Sequence, residues 1–549
     1  MRDWFKQGEH WVWFSAATVS ISFVLVVGLI LMIAIRGLVH FWPHTVHEIE
    51  IKNDQGNIET LVGEIHDTQV KLLSAPDDPS TDVRKVPQWL IKIGNRDVYG
   101  TDFRWINTDN IIGQHDRLAK NVTVLERYEW GNVYGQLQSI VREGEVRAEG
   151  GNVKNVLDDL VSTGQTLHDK INHIERVDIG SINYQIEQLR LEEKRLKAEN
   201  AYDDQAREAN ETERERLNAE FRDYQEKLEI LREQADGLGE ARLSLAGGES
   251  IQVPIKHIVR MWQPNNMSSA DKVGFFFSSI GHFLGGEPRE ANTEGGVFPA
   301  IVGTITMVML MAIFVTPLGV IAAVYMSEYA REGLVLRLVR ISINNLAGVP
   351  SIVFGIFGLG FFVYIIGGSI DDLFYSYAQP SPTFGTPGLL WASLTMALLT
   401  LPVVIVSTQE GLSRIPSALR EGGLALGATK SETIMKIVLP MSMPAIMTGL
   451  ILAVARAAGE VAPLMLVGVV KLAPELPVDF NAPFVHLDRK FMHLGFHIYD
   501  VGFQSPNVEA SQPLVYATSL LLIIIIVSLN LGAITIRNSL REKYKALDN

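Results

Sequence analysis

Glu421-Gly-Gly-Leu-Ala-Leu-Gly-Ala-Thr-Lys-Ser-Glu-Thr-Ile-Met-Lys-Ile-Val-Leu-Pro440 is a charged, glycine-broken passage between two long apolar runs. Its pattern predicts a helix, a break at Gly427 and a second helix. Thr429 and Glu432 stand at capping-box spacing, so each side chain can satisfy the other's backbone N–H at the start of that second helix. Ile434, Ile437 and Val438 supply an apolar stripe, and Pro440 is expected to stop the run. Two short helices of this kind suit docking in a groove of a soluble partner. They also suit an amphipathic element that lies on lipid.

Outward from this passage the chain reads as an all-α polytopic membrane protein. A hydrocarbon core of about 30 Å needs roughly 20 apolar helical residues. Six segments qualify: Trp11–Ile35, Val297–Met326, Ile343–Gly367, Leu389–Ser407, Ala445–Val470 and Val515–Ile536. The first has too long an apolar core for a cleaved signal peptide and no small-residue cleavage site. Trp11, Trp13 and Trp42 suit interfacial anchors of a retained helix.

Lys and Arg in the short connections set the orientation. Arg2 and Lys6 precede the first span. Arg331, Arg337 and Arg340 follow the second, Arg414, Arg420, Lys430 and Lys436 follow the fourth, and Arg537, Arg541, Lys543 and Lys545 follow the sixth. The connections on the other side are poor in basic residues, and Ser369–Gly388 has none. Both termini are therefore expected in the cytoplasm and the long middle segment outside. Three parts follow: 1–43 with the first helix, an extracytoplasmic insert 44–296, and 297–549 with the cytoplasmic loop 408–441.

The insert carries most of the acidic balance, with basic residues dispersed among acids, which argues against nucleic acid as a partner. The chain has no cysteine, which excludes disulfides, thiolate metal sites and a cysteine nucleophile. Strand-like runs flank Asn95-Arg-Asp97, and Val253-Pro-Ile-Lys-His-Ile-Val259 reads as a strand returning to them. Leu217, Phe221, Tyr224, Leu228, Leu231, Ala235 and Leu238 repeat at coiled-coil spacing. A looser repeat runs through Val153, Leu157, Leu160, Leu167, Ile171, Ile174, Ile182, Ile186 and Leu189, and the polar segment Asn200–Thr212 interrupts the two. An antiparallel coiled-coil hairpin over about 150–240 gives each stripe a partner. A single long helix that dimerises, or one lying on the domain, is the other reading.

Arg456 and Glu460 fall inside the apolar run Ala445–Val470, about 16 and 22 Å along it if it is one helix. Four residues apart, they share a face. Charges at such depth face a bundle interior or an aqueous path and have partners. A guanidinium offers an oxyanion a rigid fork of donors, and a neighbouring carboxylate holds it when no anion is present. A structural interhelical salt bridge is the alternative. Asn344 and Asn345, at the start of the third apolar run, suit either a lining role or helix capping.

Glu421, Gly427, Ile437, Leu439 and Pro440 match the spacing of the cytoplasmic EAA loop, and the chain resembles the ABC-importer permeases there. It departs at Gly422 and Gly423, where that family has alanines. Asn345-Leu-Ala-Gly-Val-Pro-Ser-Ile-Val-Phe-Gly-Ile-Phe-Gly-Leu-Gly360 is similar to the third-span signature of the phosphate permeases. Gly295–Thr304 with Tyr325-Met-Ser-Glu-Tyr-Ala330 resembles their preceding span. Arg456–Leu466, with Ala462 and Pro463 after the glutamate, resembles one of their two permease subunits more than the other. The resemblance covers about Gly295 to Ile536 and the first span, and leaves the insert unassigned.

The resemblance implies a permease subunit of an ATP-driven phosphate importer. Arg456 and Glu460 would then lie on the translocation path, and the loop Glu421–Pro440 would dock on the ATPase. The chain has no GxxxxGK[ST] loop, so no cofactor is expected here, and ATP with Mg is expected in a partner. Implied partners are a second permease subunit, an ATPase pair, a periplasmic phosphate-binding protein and membrane lipid. Other readings are a sulfate or molybdate permease, or a membrane-anchored sensor or scaffold acting through the insert.

Overall fold

The computed structural model describes residues 9–52, 56–73, 84–112, 118–505 and 508–545. Arg2 and Lys6 lie outside the described residues. The chain divides into two compact units, one of residues 1–40 with 297–549 and one of residues 41–296.

The first unit holds six helices long and apolar enough to cross a membrane: Trp11–Val39, Phe298–Tyr329, Ser351–Phe374, Leu389–Ser413, Lys430–Gly459 and Val508–Ser539. The fourth is central, and its buried face includes Trp391, Met396, Leu399 and Val404. Small residues let its neighbours approach, as between membrane helices generally. A β-carbon on Gly319 of the second span would lie 2.6 Å from Val404 Cγ1, and one on Gly411 2.5 Å from Ala445 Cβ. The first span lies along the sixth: Gly37 meets the Tyr516 carbonyl, and the Arg36 guanidinium sits 5.4 Å from the Tyr516 ring centre. Its other faces are apolar and exposed, as a lipid-facing helix requires.

Two spans depart from the hydropathy reading. The third begins at Ser351, not Ile343. Leu334–Leu346 is a separate helix, and Gly348-Val349-Pro350 parts it from the span. Proline pushes the residue before it out of helical conformation, so the helix restarts after Pro350. Asn344 and Asn345 are therefore exposed residues at the end of another helix. The fifth rod starts earlier and ends earlier than Ala445–Val470. Its first turns are the second helix of the Glu421–Pro440 passage, and Pro440 does not stop it. A π-turn over Ile434–Val438 precedes the helix Leu439–Gly459, so the rod widens immediately before Pro440, where the proline ring and its missing N–H disturb a regular ladder.

The second unit is built on two antiparallel sheets. Strands β1 (Val46–Lys52), β2 (Ile58–Leu73), β3 (Arg84–Lys92), β4 (Phe103–Asn107) and β5 (Ile111–Ile112) form one in the order β4-β3-β2-β1-β5. Ile49, Ile51, Leu61, Ile91 and Ile106 fill its core. The other sheet takes β6 (Thr123–Arg127), β7 (Val133–Arg142), β8 (Glu145–Glu149), β9 (Glu240–Ser244), β10 (Ser250–Pro254) and β11 (Ile258–Trp262). Its order is β10-β9-β7-β6-β11, with β8 paired to β7. The returning segment 253–259 is thus two strands joined by the 3-10 turn Ile255–His257.

Between β8 and β9 rises an antiparallel helical hairpin. One arm runs Val153–His173, through a π-turn at Ile174–Asp178, to Ile179–Ala198; the other is Asp204–Asp236. Facing pairs fix the direction: Arg214 reaches Glu193 at 3.3 Å and Arg232 reaches Glu175 at 2.6 Å. The looser spacing from Val153 to Leu167 has a packing cause, because these residues and Leu238 share a core with sheet residues Leu125, Ile140 and Leu243. Asn200–Thr212 does not interrupt the helix throughout. The turn is confined to Glu199–Asp203, where Asp203 accepts from the Ala206 N–H and starts the second arm.

Beneath the hairpin root lies a dense set of ion pairs. Glu126 accepts from both Arg260 and Arg289, Lys92 faces Glu294 at 3.7 Å, and Arg96 reaches Glu290 at 2.9 Å. Arg127 grips Asp97 through both carboxylate oxygens, at 2.9 and 3.2 Å, and donates to the carbonyls of Gly131 and Trp130. Burial alone would raise the Glu126 pKa, but Arg260 and Arg289 overcome it and hold the group at about 2.

Candidate functional site

The fifth rod ends at Gly459. Glu460 is extended, at φ −84° and ψ 137°, and the chain turns through Pro463 into the short helix Leu464–Val467. Gly459 is a weak helix former, and Pro463 cannot donate to a carbonyl four residues back, so the helix cannot run through this apolar stretch. Arg456 and Glu460 therefore sit at the end of a helix and the start of a break. They do not lie midway along one span.

The segment beyond the break is held by glycines of the third and fourth spans. A β-carbon on Gly355 would come within 2.7 Å of Pro463 Cα, and one on Gly358 within 3.0 Å of Val467 Cγ1. Gly468 lies as close to the backbone of Gly388, at the head of the fourth span. These contacts give the glycines of the third-span signature a physical role: only a side chain of one hydrogen admits the returning segment.

The chain then leaves in a loop that Asp479 organises. Arg489 and His486 reach its carboxylate at 2.6 and 2.8 Å, and the Asn481 N–H donates to it at 2.8 Å. Burial tends to raise its pKa, but these partners hold it down at about 2. The loop returns at Phe491, whose N–H donates to the Gly468 carbonyl, and the Leu494 N–H donates to Thr304 on the second span at 2.9 Å.

Within this frame Arg456 Nε lies 3.6 Å from Glu460 Oε1. That is an ion pair longer than a hydrogen bond. The two side chains are 34% and 24% exposed. Among the described residues the guanidinium has no second ion-pair or hydrogen-bond partner, which leaves Nη1 and Nη2 uncommitted. The pair belongs to one stretch of chain, so it is not the interhelical bridge offered as the alternative. A guanidinium fork of this kind carries the donor pattern that an oxyanion accepts from.

The second set of expected residues forms a separate element. The helix Ser417–Ala425 and the rod beginning at Lys430 flank Gly427, whose φ of +87° is left-handed and suits glycine. Thr429 and Glu432 form the expected capping box: the Thr429 N–H donates to Glu432 at 2.9 Å, and the Glu432 N–H to Thr429 Oγ1 at 3.3 Å. Ile434 and Val438 are buried. Ile437, Leu439 and Pro440 are half-buried, and Glu421 is exposed. Leu426, at the tip, is 91% exposed.

Sequence reasoning missed how this element is fastened. Arg420 donates to Glu328 at 3.1 Å and to the carbonyls of Ile415 and Leu412 at 2.6 and 2.7 Å. Lys430 donates to the Glu328 carbonyl and sits 4.8 Å from the centre of the Tyr329 ring. The signal was present in Tyr325-Met-Ser-Glu-Tyr-Ala330, but Arg420 and Lys430 read only as orientation charges.

Residues 315–544 match the family model described as "Binding-protein-dependent transport system inner membrane component". "Phosphate transport system permease protein PstA 1" of Mycobacterium tuberculosis (strain ATCC 25618 / H37Rv) is 34% identical over 245 residues, 44% of this chain and 70% of that protein. "Probable phosphate transport system permease protein PstA" of Methanocaldococcus jannaschii is 28% identical over 46% of this chain and 79% of its own length. "Probable ABC transporter permease protein YqgH" of Bacillus subtilis is 32% identical over 36% of this chain and 60% of its own.

Proposed function

Because the chain belongs to the binding-protein-dependent inner-membrane permeases of the PstA type, we propose that it is a transmembrane subunit of an ATP-driven phosphate importer. It is a transporter subunit and not an enzyme; ATP and Mg belong to an ATPase partner. The observation that carries the reading is the half-open Arg456–Glu460 pair at the broken end of the fifth rod. Phosphate, arriving as a mono- or dianion, takes the free Nη1–H and Nη2–H of Arg456. Glu460 competes for the same guanidinium, so the anion is held and released without being trapped.

The segment Glu421–Pro440 docks on the ATPase, with Leu426 as its apolar tip. Closure of the ATPase pair then pulls this segment and switches access to the Arg456 site, which requires that the docked partner bind the two states differently. The partners this reading requires are a PstC-like second permease subunit, a PstB-like ATPase pair, a PstS-like periplasmic phosphate-binding protein and lipid. It sets the protein in the bacterial inner membrane with both termini cytoplasmic and the insert periplasmic.

Labelled phosphate uptake in phosphate-starved cells lacking this chain tests the reading. Wild type restores uptake, and Arg456→Ala at matched membrane level lowers it about 100-fold, the scale of a lost charge-assisted contact. Full uptake by Arg456→Ala would reduce the pair to structure. Wild type that restores sulfate or molybdate uptake but not phosphate would overturn the substrate.

A further inference from the structure

Glu328 ends the second span, and both arms of the coupling segment converge on it. Its carboxylate, 11% exposed, takes Arg420 of the first arm, with Nε at 3.1 Å and Nη2 at 3.0 Å. Its backbone carbonyl takes Lys430, the first residue of the second arm. Arg420 is fully engaged: Nη1 donates to the Ile415 carbonyl and Nη2 to that of Leu412, so the same guanidinium also closes the end of the fourth span. A helix end leaves carbonyls without partners, and a fork of planar donors can satisfy two of them while gripping a carboxylate. One side chain thus binds three elements.

The surroundings show this to be more than a cap. The helix Ser417–Ala425 is short, and its exposed Leu419 and Leu424 cannot anchor it. The second span ends in a π-turn, Tyr325–Tyr329, which presents both the Glu328 side chain and its carbonyl to the coupling segment. Arg420 and Lys430 thus tie both arms to the end of the second span, beside the apolar packing of Val324 against Leu412, Ile415 and Val438.

Resting on the reading that this segment docks on an ATPase, we propose that Glu328 and Arg420 are the latch through which the segment moves the second span. Glu328 is a positioning residue: it touches neither the anion nor the nucleotide, and sets how much transport each hydrolysed ATP yields.

The full complex in vesicles, supplied with binding protein, phosphate and ATP, tests this through two readouts taken together. Glu328→Gln keeps the shape and removes the charge. It lowers phosphate taken up per ATP hydrolysed by about 5-fold or more, the usual scale of coupling between sites, while hydrolysis itself changes less than about 2-fold. An unchanged ratio overturns the latch and leaves the importer reading intact. Wild type that neither hydrolyses nor imports overturns both.

If Glu328→Gln fails to assemble, the absence of cysteine in this chain offers a second route. Glu328→Cys with Arg420→Cys, joined by a short bifunctional thiol reagent, restores the ratio that the unjoined double variant has lost. A joined variant whose ratio stays low overturns the latch.

Discussion

The two units use charge in opposite ways. In the insert the charges of Arg127 and Glu126 are closely paired: Arg127 holds both oxygens of Asp97 and two carbonyls, and Glu126 is shared by Arg260 and Arg289. In the membrane unit Arg456 meets one carboxylate at 3.6 Å and has no second partner among the described residues. The insert contains far more charge, yet Arg127 and Glu126 spend theirs on fixed partners within the fold. A saturated network fixes a shape, because breaking it strands a buried ion. An under-satisfied pair at a chain break keeps a capacity for exchange.

The largest effect that would break this contrast is expected at Glu126. Glu126→Gln leaves Arg260 and Arg289 facing a neutral group, and such losses cost about 3–5 kcal/mol. In the full chain, hydrogen exchange of β6 and β11 should accelerate accordingly, while uptake per correctly inserted molecule survives. A proportionate loss of uptake with no change in exchange would place the network in the transport path and end the comparison.

How much of this was legible follows the same division. Hydropathy finds helices whose surroundings are uniformly apolar, so the first and second spans were placed closely, whereas the fourth runs on to Ser413 and the sixth starts earlier, at Val508. It cannot see where a chain bends inside an apolar run. Ala457-Ala-Gly-Glu-Val-Ala-Pro463 stays apolar enough to read as span, and only backbone chemistry at Gly459 and Pro463 ends the helix there. Pro350 carried the same warning for the third span, and Pro440 misled in the other direction.

Residue types and chain spacing singled out Arg456 and Glu460 and placed the capping box, all local patterns. The latch was invisible because Glu328 and Arg420 lie far apart in sequence. So were the insert's ion pairs, among which Glu126 and Arg289 meet across 163 residues of chain.

Acid titration sharpens the comparison with a somewhat smaller effect. Glu126 has its folded pKa depressed from 4.5 to about 2. Its contribution is therefore complete above the ordinary carboxylate value and is lost as pH falls from about 4.5 toward about 2. The gap in stability between wild type and Glu126→Gln, read by pepsin cleavage of the insert in the full chain, should hold at pH 5 and shrink by about 3 kcal/mol on approaching pH 2. A gap already closed at pH 4 would mean that the two arginines do not hold the carboxylate as strongly as their contacts imply.

The hairpin asks whether saturated charge ever serves transport. Removing residues 176–231 and closing the arms with a short turn spares Val153–Leu167 and Ala235–Leu238, which pack on the sheet. A wider deletion, 145–247, would remove β8 and β9 and damage the sheet itself. The shortened chain should fold its two sheets and import at a rate within about 2-fold of wild type, since surface ion pairs of the kind removed contribute little each. Loss of import with intact sheets would make the hairpin a working part.

The smallest effect contrasts a packed and an open position side by side, in the coupling segment. Gly422 and Gly423 both stand in a helix, where alanine should help by about 1 kcal/mol. A β-carbon on Gly422 meets nothing within 4 Å, whereas one on Gly423 would lie 3.0 Å from Thr433 Cγ2 and 3.1 Å from Ile437 Cδ1. Gly422→Ala should therefore stiffen the first arm and leave uptake per ATP unchanged. Gly423→Ala sets its methyl against Thr433 and Ile437, which must give by a few tenths of an ångström, and an overpacking cost of about 1–3 kcal/mol is expected to offset the helical gain. If the two arms move as one body, only Gly423→Ala lowers uptake per ATP. Equal behaviour of the two variants would show that the arms slide freely, and the contacts of both with the end of the second span, at Glu328 and Val324, would then carry the coupling.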